Sequence, residues 1–289
     1  MPRSPASDRR ALAGIGLTLL GIFLFSANDA MGKWLVTTYT VGQVLLLRSL
    51  AALIVLAPLL ARDGWASVRV AERPGLHLAR VVFGTAETAC FYWAVAHLPL
   101  ADVMTYWLAA PVYVVAASAL LLGEPVGVRR WIGVAAGFAG VLVALGPSGG
   151  MVSPAAVVSL VGSVLFALFV LATRRLRGAG TTTLVAFQMV GGLVLGAALA
   201  PVGWVTPGLR DLVLLLLLGI VAMVAHLCVT RALALAPAPV VVPYQYTFLV
   251  WAVVFGYVVF GDVPDIGGLV GAGIICAAGL YLAALERTA

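Results

Sequence analysis

Five ionisable side chains stand inside or at the start of long apolar runs: Asp29, Lys33, Arg48, Glu87 and Asp102. Placing a charge in hydrocarbon costs about 2.5–3.5 kcal/mol on insertion scales, so each needs a partner, a water-filled space or a task. Asp29 and Lys33 are one helical turn apart and can share a face as an ion pair. With Arg48 they read in one of two ways. One is a structural salt-bridge cluster at the outer ends of the first two spans, with Lys33 and Arg48 snorkelling toward the surface. The other is a site for a carboxylate, or an outer gate. Glu87 is different, because it sits near the middle of its run with no cation in the neighbouring turns, Arg80 being two turns away. A carboxyl taken out of water there suits proton coupling or recognition of an ammonium group; the alternative is a protonated Glu hydrogen-bonded to a neighbouring helix. Asp102 is placed to cap the start of its helix. His226 could titrate near neutral pH or serve as a hydrogen-bonded packing residue.

Aromatic and amide residues gather in the third, fourth and ninth runs: Phe91, Tyr92 and Trp93; Tyr106, Trp107 and Tyr113; Tyr244, Gln245, Tyr246 and Trp251. Such residues serve as interfacial belt, as core or as a ligand-binding lining. Small residues at Ala109 and Ala110 leave room beside Pro111.

The elements that must position these groups follow from composition. With 63% hydrophobic and 10% charged residues in 289, and a mean hydropathy of +1.12, the chain cannot cover a water-facing surface. Apolar runs near 12–36, 43–61, 76–97, 101–122, 131–146, 154–174, 182–201, 211–234, 240–260 and 266–285 have lengths that span hydrocarbon as helices. The first run carries Asn28, Asp29 and Lys33 and is followed by further spans, so it is expected to stay rather than be cleaved as a leader. The net charge of +6 comes from arginines concentrated in every second connection, for example Arg9 and Arg10, Arg62 and Arg73, Arg129 and Arg130, Arg174 and Arg175, which places both termini in the cytoplasm. That placement also argues against nucleic acid as a partner.

A long-period echo divides the chain. An offset of 138 residues carries Gly123 onto Gly261, Pro99 onto Pro237, Cys90 onto Cys228, Tyr106 onto Tyr244 and Gly133 onto Gly271. Each half holds five spans, and an odd number inverts the second half relative to the first. The expected architecture is an all-α polytopic membrane protein of ten transmembrane helices in two inverted five-helix repeats, 1–146 and 154–289, joined by a linker at 147–153. Gly133, Gly137 and Gly140 in the fifth span, and Gly267, Gly271 and Gly279 in the tenth, allow close helix contact within the bundle or across a dimer face. Monomer and homodimer both remain open.

Catalytic and cofactor signatures are missing from the sequence. There is no HExxH, GxxxxGK[ST] or CxxC pattern, His77 and His97 flank opposite ends of one span, and Cys90, Cys228 and Cys276 lie within spans as core thiols. No enzyme activity, metal or cofactor is expected.

Several weak motifs in a fixed order then identify a resemblance. Leu98-Pro99-Leu100-Ala101, Pro111, Gly123-Glu124-Pro125, Arg129-Arg130-Trp131 and Gly133 through Gly140 occur in the first half, with Asp29, Lys33, Gln43 and Arg48 before them. Pro243-Tyr244, Trp251, Gly261-Asp262 and Pro264 follow in the second. Over nearly its whole length the chain resembles the EamA-type, ten-helix branch of the drug/metabolite transporter superfamily. The resemblance implies a basket of helices 1–4 and 6–9 around a central cavity, helices 5 and 10 at the periphery, and alternating access by rocking of the halves. Asp262 stands where the family usually has Glu, in what reads as a helix-end device.

The resulting expectation is a secondary transporter in the cytoplasmic membrane, carrying a small polar or zwitterionic metabolite such as an amino acid, with proton coupling through Glu87 or His226. Glu87, Phe91, Tyr106, Trp107, Tyr244 and Gln245 would meet the substrate, with Asp29, Lys33 and Arg48 as a carboxylate site or outer gate. Membrane lipids are the surrounding partner. The alternative class is a lipid-linked flippase or accessory protein, marked by an apolar cavity open sideways to lipid with cations at headgroup level.

Overall fold

The computed structural model describes residues 5–63, 73–110, 112–114, 116, 127–145, 153–176, 179–235 and 242–288. Pro111, the Gly123-Glu124-Pro125 motif, the 147–152 part of the linker and Pro237 lie outside them. The described residues form helices and no strands: α1 (Pro5–Leu35), α2 (Val41–Asp63), α3 (Pro74–Val95), α4 (Leu100–Leu108), α5 (Val128–Leu145), α6 (Pro154–Arg175), α7 (Thr181–Leu199), α8 (Leu209–Leu235), α9 (Thr247–Phe255) and α10 (Ile266–Thr288). Five of them, α1, α2, α6, α7 and α8, carry stretches both long and apolar enough to cross a bilayer. α3 is as long but carries Arg80 and Glu87.

Helix ends follow local chemistry. Pro74 and Pro154 open α3 and α6, where a missing N–H costs nothing, and the Ser153 hydroxyl accepts from Ala156 N at 3.1 Å. α9 is preceded by a 3₁₀ turn, Val242–Tyr246, and continues as a π turn, Gly256–Phe260. That stretch stops at Gly261, whose φ of +70° a side chain would resist, with Asp262 N donating to Gly256 O at 3.0 Å. The Gly261 half of the helix-end device is therefore as expected.

Packing makes the two-repeat architecture explicit. α1 lies along α8 as α6 lies along α3, α1 meets α9 as α6 meets α4, and α2 meets α8 as α7 meets α3. The pairs α2–α7, α4–α9 and α5–α10 face each other across the pseudo-twofold axis. All the extensive contacts run between the halves, so neither repeat buries its apolar faces alone. Large apolar side chains such as Leu12, Ile54, Val82, Leu142, Val194, Val213 and Val258 point outward, where lipid replaces water.

Close approach is set by small residues. A Cβ at Gly140 would lie 2.9 Å from Ile275 and one at Gly133 2.7 Å from Leu282, so these two glycines of α5 serve contact with α10 inside the bundle. Gly219 lets α8 lie directly on the backbone of Arg48. Ala109 and Ala110 are fully buried, Ala109 in a cluster with Tyr106, Tyr113, Val141, Ala156 and Ile275. Their small size serves packing at the end of α4, and Pro111, beside which room is expected, lies outside the described residues. At one end of the bundle, Gln43 closes a two-way bond with Val205, its side-chain oxygen accepting from Val205 N at 3.2 Å and its amide donating to Val205 O. Nearby the Tyr39 hydroxyl donates to Asp211 at 2.7 Å, and that bond, with the carboxylate's charge, raises the phenol above its ordinary pKa.

Candidate functional site

Glu87 occupies the middle of α3, and its Oε1 accepts from the Trp107 indole N–H at 2.8 Å. Trp107 reaches it because α6 carries glycine at 162: a Cβ there would overlap the indole ring and lie 3.0 Å from Cys90 Cβ. The other carboxyl oxygen lies 3.1 Å from Thr88 Oγ1, which is also 2.7 Å from Gly84 O. One hydroxyl has one proton to give. When Thr88 donates to Gly84, it turns a lone pair toward Glu87 and can accept a proton carried on Oε2; when it donates to Glu87, it matches the ionised carboxylate. The site therefore accommodates both protonation states of Glu87 with a single hydroxyl rotation. Phe91, one turn further, sets its ring edge-on to Trp107 at 5.5 Å.

Arg48 is buried, which overturns the expectation that it snorkels. Its Nη1 donates to the Tyr92 hydroxyl at 2.7 Å, and its guanidinium carbon sits 5.2 Å from the centre of that ring. Tyr92 crosses to α1 over Gly32, one turn beyond Asp29. Asp29, Glu87 and Tyr92 consequently all lie in the field of Arg48, and Asp29 and Glu87 feel each other. Among the described residues neither carboxylate pairs directly with the guanidinium. His226 of α8 lies in the same field, its ring edge-on to Phe25 at 4.7 Å. Five helices, α1, α2, α3, α4 and α8, thus bring two acids, one guanidinium, one imidazole and four aromatic rings into one neighbourhood.

Lys33 belongs elsewhere. It does not pair with Asp29, as helix spacing alone allows, but with Asp262, and it lies 4.6 Å from the Phe260 ring centre. The reason is length: a lysine has enough reach to leave its own helix for a carboxylate on the adjacent second repeat. Asp262 is thereby more than a helix-end residue. Asp102 makes no side-chain cap on α4, contrary to expectation, and shares its surroundings with Asp262, Asp265 and Lys33; Asp265 does cap, accepting from Gly268 N at 2.9 Å. Because both partners of the pair are partly shielded, we expect Lys33→Ala and Asp262→Asn each to lower thermal stability in detergent. The swapped pair, Lys33→Asp with Asp262→Lys, should recover a coupling of about 1 kcal/mol. Strictly additive losses would show that the charges do not meet.

The repeat partners Tyr106 and Tyr244 are not assembled with Glu87 in any hydrogen bond or ring contact among the described residues. Tyr106 is buried between α4, α5, α6 and α10. Tyr244 and Gln245 are half-buried on the 3₁₀ turn that packs against α1 and α10. Tyr92 is visible in the sequence only as one of three consecutive aromatics, without its role as partner of Arg48, and Gln188, a lone amide in the apolar run of α7, is not singled out there although its isolation is a visible signal.

Two pseudo-symmetric sets of five helices, packed against each other with half-buried acids between them, have the architecture of an integral membrane carrier. The chain belongs to the EamA-like transporter family, whose sequence model matches residues 12–146 and 153–284. Its relatives are transporters and not enzymes by name. It is 26% identical over 281 residues to the S-adenosylmethionine uptake transporter of Rickettsia bellii, covering 96% of this chain and 95% of that one. It is 28% identical to the riboflavin transporter of Rhizobium johnstonii, covering 95% and 92%. It is also 28% identical to the pseudopaline exporter CntI of Pseudomonas aeruginosa, covering 96% of each. A chain of known crystal structure shares the fold, with a TM-score of 0.64 at 18% identity over 97% of this chain and 98% of that one. The protein is therefore a multi-pass membrane transporter of small molecules.

Proposed function

We propose that this transporter carries a small zwitterionic metabolite, an amino acid or a related compound, by alternating access with proton coupling at Glu87. The observation that carries the reading is the Glu87 carboxyl held by Trp107 and Thr88 within the field of Arg48. With Asp29 and Glu87 ionised against one Arg48, the neighbourhood has a net charge of −1, which attracts either a substrate ammonium or a proton. Phe91 and Trp107 offer ring faces to the rest of the ligand, and Tyr106, Tyr244 and Gln245 line the path as the halves rock. His226 is the second titrating group available for coupling.

The Rickettsia bellii relative takes up S-adenosylmethionine by name, and that compound joins a cation, an ammonium and a carboxylate, the chemistry this charge set would recognise. Arginine placement supports a cytoplasmic-membrane protein with both termini inside, and the linker at 147–153 separates the two inverted repeats. Lys33–Asp262 then closes the outer side as a gate between the repeats, in a monomer or a homodimer.

The flippase reading has one observation in its favour, a groove of about 350 Å³ between α1, α8 and α9, lined by Ala27, Met31, Trp34, Leu214 and Phe255 with Arg210 at its end. The groove lacks the acids of the central cluster. A thermal-shift screen of the purified protein against amino acids, nucleosides, vitamins and lipid headgroups separates the two. A selective shift by a zwitterion, followed by its counterflow in proteoliposomes, is the expected result. A response confined to lipid headgroups would replace this reading with the flippase one.

A further inference from the structure

Arg80 lies on α3 two turns before Glu87, and the seven-residue spacing puts both on one face about 10 Å apart along the axis. Only 5% of it is exposed. Its Nε donates to Thr173 Oγ1 of α6 at 2.8 Å, its Nη1 to Leu184 O of α7 at 2.9 Å, and the Phe169 ring centre lies 4.6 Å away. All three partners are neutral. Among the described residues no carboxylate pairs with this guanidinium, and a buried cation without a counter-anion is costly.

Two polar atoms in the same contact between α3 and α7 are without partners. Thr85 Oγ1 and Gln188 Oε1 are buried and make no hydrogen bond among the described residues. Thr85 itself is 6% exposed. Gln188 approaches α3 at Gly84, where a Cβ would lie 2.7 Å from both its amide atoms and from Phe169. Where α3 packs on α7, between the levels of the two charges, there are therefore an unpaired hydroxyl beside Gly191 and, at Gly84, an unpaired amide oxygen and an aromatic ring. The Thr85 hydroxyl can donate to an oxyanion, the Gln188 amide can do so through Nε2 once it turns to exchange its two atoms, and the guanidinium supplies the charge.

We propose that Arg80, with Thr85 and Gln188, forms a carboxylate-binding subsite for the acidic group of the transported molecule. The inference rests on the zwitterionic reading above and adds the place where the acid binds. Lipid phosphate is not the intended occupant, because the guanidinium is enclosed by α3, α6 and α7 rather than turned to the bilayer.

The test uses purified full-length protein in detergent and thermal-shift titration with pairs differing in one carboxylate. These are L-phenylalanine with phenethylamine, L-lysine with cadaverine, and S-adenosylmethionine with its decarboxylated form; benzoate is added alone. In the wild type at least one acid-bearing member should bind tenfold more tightly than its partner. Arg80→Gln should bring that ratio close to one without changing the affinity for the amine. Thr85→Val, which removes an orphaned hydroxyl at nearly constant volume and keeps the fold, should reduce it about threefold. A wild type indifferent to every carboxylate in the panel, a ratio that survives Arg80→Gln, or, should that variant not fold, a ratio unmoved in both Thr85→Val and Arg80→Lys, would overturn the proposal. Counterflow in proteoliposomes separates the two inferences: a compound that binds with the expected ratio and is not exchanged removes the transport assignment and leaves the subsite standing.

Discussion

Glu87→Gln should lower counterflow of a bound zwitterion at least tenfold in proteoliposomes and leave whatever transport remains flat between pH 5 and 8. The amide keeps the size of the carboxyl and can still accept from the Trp107 indole N–H, so the substitution removes charge and proton exchange with little change of shape. A charged hydrogen bond to a ligand contributes on the order of 1.5–3 kcal/mol, which corresponds to about tenfold or more. The pH profile separates the roles. If Glu87 only binds an ammonium, binding falls and the residual profile follows the wild type; if it carries the coupled proton, the profile flattens. Unchanged rate, affinity and pH dependence together would remove Glu87 from the site.

Arg48→Met should produce the largest loss of thermal stability among single substitutions in the central cluster, about 3 kcal/mol. The guanidinium is the cation whose field reaches Asp29, Glu87 and Tyr92 together, and its Nη1 is the donor to the Tyr92 hydroxyl. Methionine fills the space but leaves the Asp29 and Glu87 carboxyl groups in each other's field without a shared counter-charge. Tyr92→Phe removes one bond of that arrangement and should cost about 1 kcal/mol. Equal losses for the two variants would mean that Arg48 acts through Tyr92 alone and not as the charge at the centre of the cluster.

Much of the fold was legible because bilayer thickness leaves so few solutions. Runs of sufficient length had to be helices, since a backbone in hydrocarbon must satisfy its own hydrogen bonds. Gly261 was readable as a helix stop because few residues tolerate its backbone conformation. Glu87 stood out because a carboxyl far from the end of an apolar run has no cheap explanation.

The partners of these charges were not legible. Helix periodicity places Asp29 and Lys33 on one face but is silent about what faces them, and Lys33 found Asp262, 229 residues away. Arg48 could be counted as near a helix end, yet its burial depends on Tyr92 of α3 and on α8 resting against it at Gly219. Trp107 meets Glu87 only because Gly162 of another helix leaves space for the indole. Arg80 is visible in the sequence only as a cation two turns from Glu87, and its enclosure depends on α6 and α7 closing over it.

The sequence by itself determined the membrane environment, the number and order of spans, the doubling of the chain and the identity of its rare buried charges. Each of these depends on composition or on spacing along one strand of chain, which local hydrophobicity and backbone geometry control. Only the tertiary structure decided which charge meets which, because every extensive helix pairing joins one repeat to the other, and the distances that make a site lie across that interface rather than along the chain.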